Sequence, residues 1–287
     1  MGQQKIASAG VHLSVTSRGN PRSETVILVH GFPDNQTVWD AVVPLLEPRF
    51  HVVTYDVRGA GESTAPTARA GYAMTRLVDD LSAVIDRVRP DGNAVHLVGH
   101  DWGSVQLWDA VMREGSDPRL YGRIASYTSI SGPGLDLLGH FIRSSFRRRE
   151  FRALTKQIVH SSYIGLFQLP VVPELIFRRL GAPLQKRLAK SQRLGDVAQW
   201  SKTFSCDGAN GVNLYRANGL GFGAPTTEVP VQLIVPTKDS FLTPAVYADA
   251  KLFAPHLTRI DVVAGHWVIR THAELIAERI ATFVDEN

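Results

Sequence analysis

Apolar and polar positions along the chain follow two alternating rhythms. Residues 25–29 and 50–55 are short, nearly unbroken apolar runs, and similar β-prone runs recur at 94–98, 124–130, 231–235 and 259–263. Such runs predict strands of a parallel sheet, buried ones at 25–29 and 50–55. Residues 11–16 alternate instead, Val11, Leu13 and Val15 against His12, Ser14 and Thr16, which predicts a half-exposed edge strand. Between the runs lie helical periods. Met74, Leu77, Val78, Leu81, Val84, Ile85 and Val88 keep the i, i+3, i+4, i+7 spacing and turn Asp79, Asp80, Asp86 and Arg87 away, so an amphipathic helix is expected over 74–88. Further helices are expected over 37–46, 104–112 and 245–253, and a last one is opened by the capping-box sequence Thr271-His272-Ala273-Glu274. Strands alternating with helices imply a parallel sheet covered on both faces, with ligands bound at the carboxyl ends of the strands. From Gly132 the pattern is helical, with no β-like run before Val231. Residues 132–227 therefore read as a helical cap over a core made of 1–131 and 228–287.

Composition changes this picture little. The 287 residues are 44% hydrophobic and 20% charged, ordinary for a globular protein and enough for a sizeable core. Cys206 is the single cysteine, so no intrachain disulfide forms, and residues 1–10 lack the apolar segment of an export signal. No run of about 18 apolar residues occurs, and a cytoplasmic protein is the expectation. Charge is more telling. The cap holds 14 Lys/Arg against 5 Asp/Glu, a net +9, which leaves −5 on the rest of a chain whose total is +4. The cluster Arg143, Arg147, Arg148, Arg149 and Arg152 could draw anionic substrates or meet an anionic membrane surface, or be a solvated face set against the acidic core. No recognised nucleic-acid module accompanies the charge, so nucleic-acid binding is not expected.

Candidate chemistry centres on Gly99-His100-Asp101-Trp102-Gly103, where an apolar run turns sharply into a helical period. In a G-x-Nu-x-G elbow the glycines let backbones approach, and the central residue is lifted over the sheet edge in a strained conformation. That residue is Asp101. A carboxylate nucleophile there suits attack on saturated carbon through a covalent ester.

Together with His30-Gly31-Phe32-Pro33, Asp56-x-Arg58-Gly59-x-Gly61-x-Ser63, Asp239 followed by Pro244, and Gly265-His266-Trp267, this elbow resembles the α/β-hydrolase fold and within it the epoxide hydrolases, over essentially the whole length. The resemblance implies an α/β class with a mostly parallel central sheet, helices on both faces and a helical cap inserted after the sixth strand. It implies Asp101 as nucleophile, His266 as the base that activates water, and Asp239 as the acid that orients His266, in the chain order this fold uses. Asp136, near the end of the preceding strand, competes for the acid's place. Backbone N–H groups of Phe32 and Trp102 would form the oxyanion hole, and His30 and His100 would be structural.

An epoxide oxygen leaves as an alkoxide and benefits from a proton donor. The family supplies two cap tyrosines, and the matching contexts here are Tyr163 in Tyr163-Ile164-Gly165-Leu166-Phe167-Gln168 and Tyr215 in Asn213-Leu214-Tyr215-Arg216. Haloalkane dehalogenases are similar at Asp101-Trp102, but commonly place Asn after His-Gly, where this chain has Phe32. The implied activity is a cofactor- and metal-independent epoxide hydrolase acting on a small, apolar or lipid-like epoxide. Dehalogenation and a non-catalytic ligand-binding module are the alternatives. Cap residues Phe167, Leu169, Val171, Trp200 and Phe204 are candidates for the pocket wall, and a homodimer is compatible with the chain. Some actinobacterial proteins join a similar domain to a short-chain dehydrogenase domain, so this chain could be the amino-terminal part of such a fusion.

Overall fold

A computed structural model describes residues 2–195 and 200–287. Eight strands form one sheet: β1 Gly2–Ser8, β2 Val11–Arg18, β3 Thr25–Val29, β4 His51–Tyr55, β5 Val95–His100, β6 Ile124–Ile130, β7 Val231–Pro236 and β8 Leu257–Val262, in the order β1-β2-β4-β3-β5-β6-β7-β8. The β1–β2 and β2–β4 pairs are antiparallel and every other pair is parallel. The helices are α1 Val43–Leu46, α2 Met74–Val88, α3 Trp102–Arg113, α4 Leu135–Arg148, α5 Phe151–His160, α6 Tyr163–Phe167, α7 Val172–Ser191, α8 Phe204–Ala217, α9 Val268–Thr271 and α10 Ala273–Asp285. This is the α/β-hydrolase architecture that the alternating pattern and the motifs predict.

Alternation along β3 divides the core. Ile27 and Val29 pack on one face with Leu77, Leu81, Leu107 and Trp108 from α2 and α3. Val26 and Leu28 pack on the other with Leu46, Trp267, Ile276 and Ile280. Helices α4 to α8 lie between β6 and β7, and no described residue of that stretch is in a strand. Among the described residues no helix is long and apolar enough to cross a membrane.

Several local expectations are corrected. Residues 11–16 belong to β2, which is not the edge, because β1 pairs along its whole length. The helix expected over 37–46 is a 3-10 turn, Gln36–Trp39, followed by α1. Pro44 has no N–H for the Asp40 carbonyl, so a continuous helix cannot close there. The helix expected over 245–253 is two 3-10 turns, Pro244–Tyr247 and Ala250–Leu252, and Asp249 between them turns its carboxylate to His140 and Arg148 on α4. The capping box is not made: His272 is the cap residue of α10, while the Thr271 hydroxyl goes to the Trp267 carbonyl and the His272 ring.

Asp80 is likewise not turned away. It is buried and accepts a two-pronged contact from Arg58, Nε at 2.7 Å and Nη2 at 2.6 Å, while Arg58 also donates to the Gly71 and Arg76 carbonyls. The Asp56-to-Ser63 motif is thus structural. Asp56 accepts from Gln36 and Glu62 backbone N–H groups, and Ser63 donates to the Asp56 carbonyl, tying together the loops that follow β3 and β4. Asp80→Ala would leave the Arg58 guanidinium buried without its carboxylate. Equilibrium urea unfolding at fixed pH should show a loss of about 3–5 kcal/mol, with no comparable loss for Asp79→Ala, whose half-buried carboxylate pairs with the exposed Arg76 and Arg119.

Candidate active site

Asp101 sits between β5 and α3 with φ +53° and ψ −125°, a left-handed conformation that a non-glycine residue holds only under tertiary constraint. The constraint is crowding. A Cβ at Gly103 would strike the Val29 and His30 carbonyl oxygens, and one at Gly31 would strike the Asp101 carboxylate itself. Glycine at these positions lets the elbow press against the loop after β3. The Phe32 N–H consequently donates to Asp101 Oδ1 at 2.7 Å. Trp102 opens α3, so its N–H belongs to the free amino end of that helix.

His266, on the loop after β8, places Nε2 3.5 Å from Asp101 Oδ2 and Nδ1 2.9 Å from Asp239 Oδ2. Asp239 follows β7, and its carboxylate is saturated with donors. Oδ1 accepts from the Phe241 and Leu242 backbones at 2.7 and 3.1 Å, and Oδ2 from the Ser131 hydroxyl as well as His266. Ser131 is a partner that sequence reading misses. Its φ of +52° at the end of β6 aims the hydroxyl across to β7, and no motif marks it. Asp136, the competitor for Asp239's place, accepts from the Gly223 N–H, while His266 Nδ1 meets Asp239.

Burial opposes charge on His266, but the Asp239 and Asp101 carboxylates overrule it and push its pKa up to about 10. Asp239 is desolvated too, yet its donors hold it below the ordinary carboxylate range. His100, buried beside the His266 cation, is pushed down to about 4. Its Nε2 meets the His266 carbonyl at 2.9 Å, and His30 Nε2 accepts from the Val57 N–H, so both serve the loop scaffold.

Tyr163, first residue of α6, and Tyr215, on α8, face the elbow from the helices between β6 and β7. Their rings lie 6.0 Å apart, and Tyr215 lies 4.9 Å from the Trp102 indole. Burial raises both phenols above their ordinary value, assisted by the nearby Asp101 charge, so each keeps its proton through neutrality. Arg216 fixes their spacing by donating from α8 to the Phe167 carbonyl at 2.7 Å and the Leu169 carbonyl, and by pairing with Glu174. Two further contacts anchor α8 to the core. The buried Asp207 carboxylate receives the Gly61 N–H and the Asn35 amide, and Asn218 joins the Met74 N–H and the Tyr72 carbonyl.

These groups converge on a cavity of about 340 Å³. Asp101, His266, Tyr163 and Tyr215 line it together with Phe32, Phe241 and Trp267, and with Phe167 from α6 and Phe177 and Leu188 from α7. Of the expected wall residues, Phe167 is present. Leu169 and Val171 point to solvent instead, 47% and 60% exposed, while Trp200 and Phe204 pack against each other behind the wall. The Phe32 ring stands edge-on to Phe167, Phe177 and Tyr215, and offers no side-chain donor.

Comparison with known proteins supports the fold. The chain is 38% identical to the probable oxidoreductase EphD of Mycobacterium tuberculosis over 96% of its own length, but spans only 48% of that protein. It is 26% identical to epoxide hydrolase 3 of Xenopus tropicalis, over 100% of this chain and 78% of that one. A solved structure of Bacillus megaterium epoxide hydrolase with an inhibitor superposes with a TM-score of 0.80 at 22% identity, covering 98% of this chain and all of the other. With residues 24–273 matching the family described as alpha/beta hydrolase fold, the chain belongs to that family.

Proposed function

We propose that the protein is an epoxide hydrolase that opens an epoxide to a vicinal diol through an alkyl ester on Asp101. The observation that carries the reading is the meeting of a carboxylate nucleophile, its His266–Asp239 pair and two protonated phenols on one apolar cavity. Residues 132–227 would form the cap and 1–131 with 228–287 the core.

An Asp101 oxygen bonds to an epoxide carbon, the carbon–oxygen bond breaks, and the departing oxygen takes a proton from Tyr163 or Tyr215. Esterification removes the Asp101 charge, and with it part of the attraction that holds a proton on His266. That proton restores the phenol. Neutral His266 then takes a proton from water as its oxygen adds to the ester carbonyl carbon, and the oxyanion so formed is held by the Phe32 and Trp102 N–H groups. Losing one such donor costs about 3 kcal/mol. Collapse releases the diol, which takes its proton from His266. Ionisation of the regenerated Asp101 carboxyl then returns the resting pair. The proton balance closes on epoxide plus water.

Halide departure needs donors without a proton, and Phe32 supplies no side-chain donor. A panel of epoxides should give diol, while a 1-haloalkane of matched size should release no halide. Halide without diol would replace this reading with dehalogenation. Tight binding without either product would make the protein a ligand-binding module.

A further inference from the structure

The geometry points to Arg187 as an anion-recognition site at the rim of the cavity, selecting a substrate whose apolar body ends in a carboxylate or phosphate group. This rests on the epoxide-opening reading for its reaction but not for its binding. Among the described lining residues only Leu166 and Arg187 are exposed, so they mark the opening. The rest of the wall is apolar apart from the reacting groups and the two phenols. Apart from His266 at the reacting end, Arg187 is the one basic side chain in that lining, and it has no carboxylate partner among the described residues, whereas Arg58, Arg148 and Arg216 all have one.

Helix geometry aims it at the opening. Leu184, Arg187 and Leu188 stand at i, i+3 and i+4 on α7, so they share one face, and both leucines line the cavity. The same helix supplies Pro173, Ile176 and Phe177 to the wall further back. Phe177 lies against Phe32 and Phe167, next to Tyr215. From there to Arg187 is roughly 15 Å of helix at about 1.5 Å per residue, shortened by the kink at Leu180. An extended apolar body of about that length would hold its epoxide at the phenols and its anion at the guanidinium. Guanidinium is suited to this, because its planar fork matches both carboxylate and phosphate oxygens. The surplus of positive charge on the cap would also raise the local concentration of such amphiphiles.

The test compares terminal epoxides graded in length and bearing a free carboxylate, its methyl ester or a phosphate monoester. Wild type should prefer an anionic form to the ester by about tenfold or more in kcat/KM. The stronger of the two anionic series identifies the head group. Arg187→Gln should bring the ratio near one, and Arg187→Glu should reverse it. Lys156→Gln, which removes a cap cation away from the cavity, should leave the ratio as in wild type; an equal loss there would assign the preference to the general field and overturn the site. Calorimetry with the saturated, epoxide-free acid reads the same site without turnover. If diol forms but the ratio is near one in wild type, the anion site is wrong. If no diol forms, the site stands when wild type binds the saturated acid more tightly than Arg187→Gln does, and falls when it does not.

Discussion

His266→Gln should stop turnover while leaving the first chemical half intact. Mixed with excess epoxide, the variant is expected to consume one equivalent and then stall, with intact mass raised by the mass of one substrate and the addition mapped to Asp101. Steady-state diol formation should fall by about 10⁴-fold, because water at the ester loses its general base and no other group replaces it. The buried position favours a clean result. Glutamine approximates the imidazole's volume and can still meet Asp239, so the loops after β7 and β8 keep their contact. An unmodified variant, alongside wild type that forms diol, would remove the ester from the mechanism.

The charge on His266 adds a pH signature. Its pKa of about 10 belongs to the resting protein, where both carboxylates are ionised. In the ester only Asp239 remains, so the base-dependent limb of ester hydrolysis should titrate well below 10. Single-turnover hydrolysis of preformed ester should rise with pH to a plateau, and a midpoint at or above the resting value would contradict the proposed proton release. The stability linkage has a definite sign. The folded pKa lies above the ordinary histidine value, so the contribution of the charged pair is fully present below about 6.5 and is lost as pH rises through about 10.

Much of this was legible in the sequence, for identifiable physical reasons. Buried parallel strands are mostly apolar on both faces, so 25–29, 50–55 and 231–235 stand out as runs, while 124–130 buries Ser126, Thr128 and Ser129 and shows only as a β-prone stretch. Catalytic groups cluster at strand ends, so their order along the chain survives as motifs. What escaped is what these two signals do not encode. β1 shows only Ile6 and Ser8 to the interior, and an edge strand of glutamines and a lysine has no apolar run to betray it. Asp80 follows the polar phase of α2 yet is buried, because Arg58 from a distant loop reaches it. Ser131 depends on a backbone angle that no residue type announces. The place of Arg187 at the cavity rim depends on how α7 packs over the strand ends, which local periodicity does not specify.

Removing both phenols should strike the other half-reaction. Tyr163→Phe and Tyr215→Phe each keep the ring that packs against Phe167 and the rest of the aromatic wall, so the cavity's shape is retained while a proton donor is lost. Each single variant should slow Asp101 alkylation by about 10²-fold, and the double variant by up to about 10⁴-fold, the range for general-acid assistance. The two losses should not add simply. The two rings lie 6.0 Å apart and each phenol acts on the other's proton affinity, so deleting one changes the other's readiness to donate. Hydrolysis of a preformed ester needs no phenol and should proceed at close to the wild-type rate in all three variants. The separation of the two steps is the discriminating measurement. If the double variant alkylates as fast as wild type, the tyrosines are packing residues. If hydrolysis slows as much as alkylation, their effect is general disturbance of the site. A slowed first step with an undisturbed second would assign the proton on the departing oxygen to the pair carried by α6 and α8.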